Sequence, residues 1–218
     1  MFERISAIIL AAGESRRMGQ PKLLLPWGKT TVLGQVVFMF AVGLSTDSKT
    51  QKMRGQTDKR IKTDDEILVV TGGAQELVEA EVARLAEQYP VRAIYNPEYV
   101  RGGMLSSIQA GLAALGPEVH AALIGLGDQP QVREETVRSI CAAFVQVESM
   151  LVIPSFQERR GHPWLVARPL WPEILALPTS TTPRQFLNAH TGQVEYVPAD
   201  ESILLDLDTP EDYNHQRP

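Results

Sequence analysis

Residues 10–25 read LAAGESRRMGQPKLLL, and the chemistry open to this stretch is phosphate binding. An apolar run feeds small residues and Gly13, then Ser15, Arg16, Arg17, Gly19 and Lys22. Small residues let backbone N–H groups come close to phosphate oxygens. Arginine and lysine neutralise the charge that grows on a triphosphate during displacement. The pattern is neither a Walker A loop, which ends in Gly-Lys-Ser/Thr, nor a dinucleotide-binding fingerprint. A glycine turn alone would be only a turn, whereas two arginines and a lysine straight after a strand point to an anion.

Further along, residues 102–107 read GGMLSS at the start of a helix, where free N–H groups and the helix dipole attract anions. Glycine and serine also cap helices, so Gly103, Ser106 and Ser107 fit either role. Residues 125–130 read GLGDQP after an apolar strand, which puts Asp128 where a divalent cation could be held or where a turn could be capped. Residues 206–212 read DLDTPED, a helix entry with proline just inside the start. Asp208 precedes that entry and can turn toward a sheet edge, with Asp206 as an alternative or additional ligand. Mg2+ usually takes only one or two carboxylates, with phosphates and waters completing its shell. Residues 160–163 read RGHP, and a lone histidine before proline is most often structural.

What must position these groups is a sheet. Apolar runs at 5–10, 67–70, 91–95, 121–126 and 151–154 read as strands, and the spacing at 31–44, 74–88, 103–115 and 133–147 reads as helices. This alternation over the first 150 residues predicts a parallel sheet with helices on both faces. Ligands of such sheets bind beyond the carboxyl ends of the strands. The glycine-bearing segments after Leu10, after Val70 (Thr71-Gly72-Gly73) and after Leu126 all fall at that edge.

The 218 residues suffice for one sizeable α/β domain. Apolar residues are 44% and charged residues 22%, a globular composition. A net charge of −5 speaks against nucleic acid as a partner. No stretch has transmembrane length, and the N-terminal run is a first strand rather than a signal peptide. A cytoplasmic protein with no membrane partner is expected. The single cysteine, Cys141, lies in an apolar helical stretch and reads as an inert buried thiol. Residues 45–65 are polar and charged and read as a mobile surface insertion. Residues 155–198 carry many prolines, break the alternation and are expected to form a substrate-side lobe of hairpins and short helices.

Taken in order, these motifs resemble the MobA-like NTP transferase family, most closely its molybdenum cofactor cytidylyltransferase branch. The match rests on LAAGESRRMGQPK, Gly103-Met104-Leu105-Ser106-Ser107, Asp128-Gln129-Pro130, Arg160-Gly161-His162-Pro163 and Asp206-Leu207-Asp208-Thr209-Pro210-Glu211-Asp212. The resemblance implies a three-layer Rossmann-like nucleotidyltransferase fold with a mostly parallel central sheet. It implies one nucleotidyltransferase domain over 1–218, with a nucleotide-binding part at 1–150 and an acceptor-side lobe and C-terminal metal motif at 151–218. Leu10, Ala11, Ala12, Gly13, Arg17, Lys22, Gly73, Gly103, Ser107 and Asp128 would then bind the nucleotide. Arg17, Lys22 and Asp128 would be catalytic, Asp128 and Asp208 would hold Mg2+, and Gly161 and His162 would border the acceptor. Arg16 falls on a variable position of the signature. Two features depart from the family: the long 45–65 insertion, and Ser180-Thr181-Thr182-Pro183-Arg184 in place of an acidic-glycine-x-arginine turn.

The implied reaction moves CMP from CTP to molybdopterin or its molybdenum-loaded form and releases pyrophosphate. A molybdenum hydroxylase would receive the product. Leu-Ala-Ala-Gly favours the cytidylyl branch over the guanylyl branch, so CTP is preferred to GTP. Rival readings are GMP transfer, a sugar-phosphate or alcohol-phosphate nucleotidyltransferase on the same fold, and a non-catalytic chaperone for the molybdenum cofactor.

Overall fold

The computed structural model describes residues 4–45, 65–147 and 149–218. The expected insertion at 45–65 lies almost wholly outside the described residues.

β1 (Ile5–Ala11) is apolar at nearly every position because both of its faces are covered. A loop with two 3-10 turns and the short hairpin β2 (Pro26–Trp27) and β3 (Thr30–Thr31) lead into α1 (Val32–Leu44). The Thr31 side chain caps α1 by accepting from the Gly34 N–H at 2.9 Å. Then follow β4 (Ile67–Thr71), α2 (Gln75–Leu85), β5 (Val91–Tyr95), α3 (Tyr99–Ala114), β6 (Ala121–Leu126), α4 (Glu134–Val147) and β7 (Leu151–Phe156). The chain returns through β8 (Arg159–Arg160) and β9 (Trp164–Ala167), then α5 (Trp171–Ala176), α6 (Pro183–Ala189), β10 (Val194–Pro198) and α7 (Pro210–Gln216).

The main sheet has the order β10-β7-β9-β6-β1-β4-β5, with β8 paired to β7. The pairs of β1 with β4 and β6, of β4 with β5, and of β7 with β10 are parallel; β9 runs antiparallel between β6 and β7. Side-chain alternation divides the core. Ala7 and Ile9 of β1 pack with α1, α2 and α4, whereas Ile8 packs with α3, α5 and α6. Helices therefore cover both faces, giving the expected three layers of a Rossmann-like fold.

The segment 155–198 carries the expected hairpin, β7 with β8, and the short helices α5 and α6, and its strands β9 and β10 join the main sheet. Trp164, Leu165, Val166 and Ala167 are all buried, and a strand apolar on both faces belongs inside a sheet. β10 joins the same sheet as an edge strand and ends on Pro198, where proline's missing donor is tolerated. Two boundaries also move. α3 starts earlier than expected, at Tyr99, and is interrupted at Gly103 (φ 55°, ψ −148°). β7 runs on to Phe156 before the chain reverses at Gln157 and Glu158, both at positive φ.

Candidate active site

The carboxyl ends of three strands are tied together by backbone bonds. The Gly127 N–H donates to the Leu10 carbonyl at 3.0 Å, and the Gly73 N–H donates to the Ala12 carbonyl at 3.1 Å. Leu10, Ala11, Ala12 and Gly73 thus build the sheet edge. The loop beyond is pinned by buried Met18 and Leu23, and the Ser15 hydroxyl accepts from the Lys22 N–H at 3.2 Å. A cavity of about 450 Å³ opens over this loop, lined by Ala12, Gly13, Arg17, Lys22 and Asp208 together with Tyr99. Its volume falls in the range of small-molecule sites.

Lys22, Asp128 and Asp208, distant in sequence, converge. The Lys22 Nζ donates to Asp128 Oδ2 at 2.5 Å and to Asp208 Oδ1 at 3.2 Å. Arg17 Nη2 lies 3.0 Å from Asp208 Oδ2. Burial by itself would lower the Lys22 pKa, but the charge and hydrogen bond of Asp128, followed by those of Asp208, outweigh it and hold the pKa above the ordinary lysine value. The ammonium is therefore a permanent cation between two carboxylates. Asp206 sits beside this pair, and its pKa is raised by burial first and then by the nearby Asp128 and Asp208 charges.

The donor set fits a divalent ion. Two carboxylates already share one positive charge. Among the described residues no group of three or more His, Cys, Asp or Glu side chains could hold a metal ion. An ion here would draw its remaining ligands from phosphate and water, the usual habit of Mg2+.

Other expected residues have different surroundings. The Ser107 hydroxyl is buried and accepts from Asn96 Nδ2 at 3.0 Å, and Ser106 Oγ accepts from the same amide at 2.8 Å. Asn96, absent from the sequence-based set, thus holds both serines on the inner side of α3. The signal available was its position before Pro97, directly after β5. Gly103 gives α3 its break, and neither it nor Ser107 lines the cavity. Gly161 packs closely on the C-terminal segment: a Cβ there would lie 2.5 Å from the Ile203 carbonyl oxygen. His162 is half-buried, its N–H donates to the Ile203 carbonyl at 3.3 Å, and burial pushes its pKa down to about 4. Its ring is neutral near pH 7. Since β9 runs antiparallel to β6, His162 lies at the same sheet edge as Asp128. Cys141 is inert, with burial, followed by the Asp65 charge, pushing its thiol up to about 12. No described helix is long and apolar enough to cross a membrane.

A cationic loop facing paired carboxylates, across the carboxyl edge of a mostly parallel sheet, defines a class of enzyme that transfers nucleotidyl groups. The chain belongs to the MobA-like NTP transferase family, whose domain it matches over residues 7–194. It is 32% identical over 212 residues to the molybdenum cofactor cytidylyltransferase of Escherichia coli (strain K12), covering 96% of this chain and 93% of that protein. Among solved structures it is similar to Rv0371c of Mycobacterium tuberculosis H37Rv, at 25% identity and TM-score 0.74, covering 98% and 97% of the two chains. A complex of that protein with manganese matches at 26% identity and TM-score 0.68, covering 97% of each chain. A nucleotidyl transferase from Methanothermobacter shares the fold, at 24% identity and TM-score 0.71 over 99% and 97% of the chains.

Proposed function

We propose that this nucleotidyltransferase moves CMP from CTP to molybdopterin, or to molybdenum-loaded molybdopterin, and releases pyrophosphate. The observation that carries the chemistry is the convergence of Asp128 and Asp208 on the Lys22 ammonium beside the cavity. The choice of acceptor and base rests on likeness to the Escherichia coli cytidylyltransferase and on the Leu-Ala-Ala-Gly turn.

A terminal phosphate of the acceptor attacks the α-phosphorus of CTP in line, and pyrophosphate leaves on the opposite side. A phosphate monoester is largely ionised near neutral pH, so no side chain need act as general base. Positioning and charge stabilisation carry the rate. Arg17 and Lys22 leave their carboxylate partners to hold the triphosphate, and backbone amides around Gly13 approach its oxygens. Asp128 and Asp208 are the residues that would hold Mg2+. Held there, the ion would supply charge stabilisation at the reacting phosphorus. Gly161 and His162 border the acceptor side, where the neutral imidazole is suited to hydrogen bonding rather than to pairing with charge. A cytoplasmic setting and delivery of the product to a molybdenum hydroxylase belong to the same reading.

The test is pyrophosphate release with molybdenum-loaded molybdopterin and each of the four NTPs, with and without Mg2+. CTP should be the preferred donor, and turnover should require the ion. Turnover with a sugar phosphate but not with the pterin would replace the acceptor and leave the chemistry standing.

A further inference from the structure

We propose that Gln129 is a positioning residue: its side-chain amide fixes the segment carrying Asp208 against the strand end carrying Asp128, and holds Asp206 as a strut outside the metal-binding pair. The inference rests on the nucleotidyl-transfer reading of the site.

Gln129 is 3% exposed, directly after Asp128. Its Nε2 donates to Asp206 Oδ1 at 2.8 Å and toward the Ile203 carbonyl at 3.4 Å. The same Ile203 carbonyl accepts from the His162 N–H at 3.3 Å, and the Leu207 N–H donates to the Asp128 carbonyl at 3.1 Å. The stretch from Ile203 to Leu207 is thus tied from three sides, and Leu207 itself is wholly buried. Asp208 follows immediately, so these ties set how far its carboxylate stands from that of Asp128.

The chemistry of an amide suits the position. Three carboxylates crowd this edge; Lys22 and Arg17 make their ion pairs with Asp128 and Asp208, and the Lys22 charge reaches Asp206 only from farther off. A neutral N–H donor binds Asp206 without adding a charge that would compete with a metal ion or a triphosphate. Its orientation is fixed, because a flipped amide would set its oxygen against a carboxylate and a carbonyl. The Gln129 Oε1 is buried and takes no hydrogen bond from the described residues. Asp206, Asp128 and Asp208 also do not make up a three-ligand group.

The experiment uses the full chain and reads Mn2+ binding with CTP present, by loss of the free-ion EPR signal, alongside the Mg2+ dependence and CTP KM of turnover. Gln129→Met, which keeps length and loses the donor, should weaken Mn2+ binding by about tenfold or more while KM for CTP stays close to wild type. Asp206→Asn, which keeps an acceptor for Gln129, should lose far less, and Asp206→Ala should resemble Gln129→Met. The Asp206 pair decides the matter even if Gln129→Met fails to fold. A tenfold loss in Asp206→Asn would make Asp206 a ligand and overturn the proposal, as would unchanged metal binding in Gln129→Met. Wild-type protein that binds Mn2+ but turns over no NTP would instead overturn the functional reading and leave the positioning role measurable.

Discussion

Lys22 Nζ stands 2.5 Å from Asp128 Oδ2 and 3.2 Å from Asp208 Oδ1, so a single ammonium joins a carboxylate at the end of β6 to one at the entry to α7. On the proposed reading a divalent ion would be held by these same two carboxylates, so lysine and metal would compete in the nucleotide-free protein until a triphosphate draws the lysine away. Lys22→Met should bind Mn2+ more tightly than wild type without nucleotide, since two carboxylates lose their counter-charge. The same variant should lose about 10²–10³ in turnover, as expected for a lost phosphate-stabilising cation. Isothermal titration with Mn2+ and a pyrophosphate-release assay read the two effects; weaker metal binding in the variant would sink the competition.

Asp128→Ala tests the other side of the pair. The Asp128 side chain is 19% exposed and in contact with Lys22, so on the proposed reading its loss would remove metal affinity and free the ammonium together. Turnover at saturating Mg2+ should fall by about 10²–10³. Asp128→Asn keeps the shape and should fall comparably, because charge rather than packing is the need. Near-wild-type rates in either variant would refute the metal assignment.

Much of this arrangement was legible in the sequence because local rules and tertiary demands agree there. β5 and β6 fall at the expected residues: β6 is an apolar run buried inside the sheet, and β5 is its half-exposed edge strand, bounded by turn residues on either side. Convergence of Asp128 and Asp208 followed from both lying at the carboxyl edge. Hairpins were expected in this region, but neither the place of the β7–β8 turn nor the insertion of β9 between β6 and β7 was legible. A tight hairpin usually announces itself with Asn-Gly or Asp-Gly, and here Gln157 and Glu158 adopt positive φ instead. Gln129 and Asn96 were missed for another reason: each acts through residues remote in sequence or buried inside a helix face, and residue type alone does not reveal a hydrogen-bond partner.

Gly103 interrupts α3 with φ 55° and ψ −148°, a region that side chains with a Cβ avoid. No heavy atom lies within 4 Å of the place a Cβ would take, so alanine meets strain and no clash. Gly103→Ala should cost about 1–3 kcal/mol of stability. Relief of the strain by straightening the helix would also displace Ser106 and Ser107 from Asn96. Urea denaturation and the KM for CTP measure both; a variant as stable as wild type would mean that the break is not held in solution.

Arg17 is 70% exposed and its ion pair among the described residues is with Asp208, so its contribution to stability is small. Arg17→Ala should leave the melting temperature within a degree or so, as surface pairs generally do. Its effect should appear in catalysis, with kcat/KM for CTP falling about tenfold or more through a lost contact to phosphate. A large drop in melting temperature with unchanged kcat/KM would assign Arg17 to the fold instead.

His162 gives the protein a pH dependence with a definite sign. Burial depresses its pKa from the ordinary 6.5 to about 4, so between those values the unfolded chain binds a proton that the folded one refuses. Stability then rises with pH across that window. The histidine imposes no penalty above about pH 6.5 and an increasing one as pH falls toward 4. Between pH 7 and pH 5 the loss should be on the order of 2 kcal/mol. His162→Gln, uncharged at every pH, should lack this part of the acid sensitivity, so wild-type and variant stabilities should draw together as pH falls. Parallel urea midpoints for the two proteins across that range would mean that the ring is solvated enough to take up its proton in the folded state.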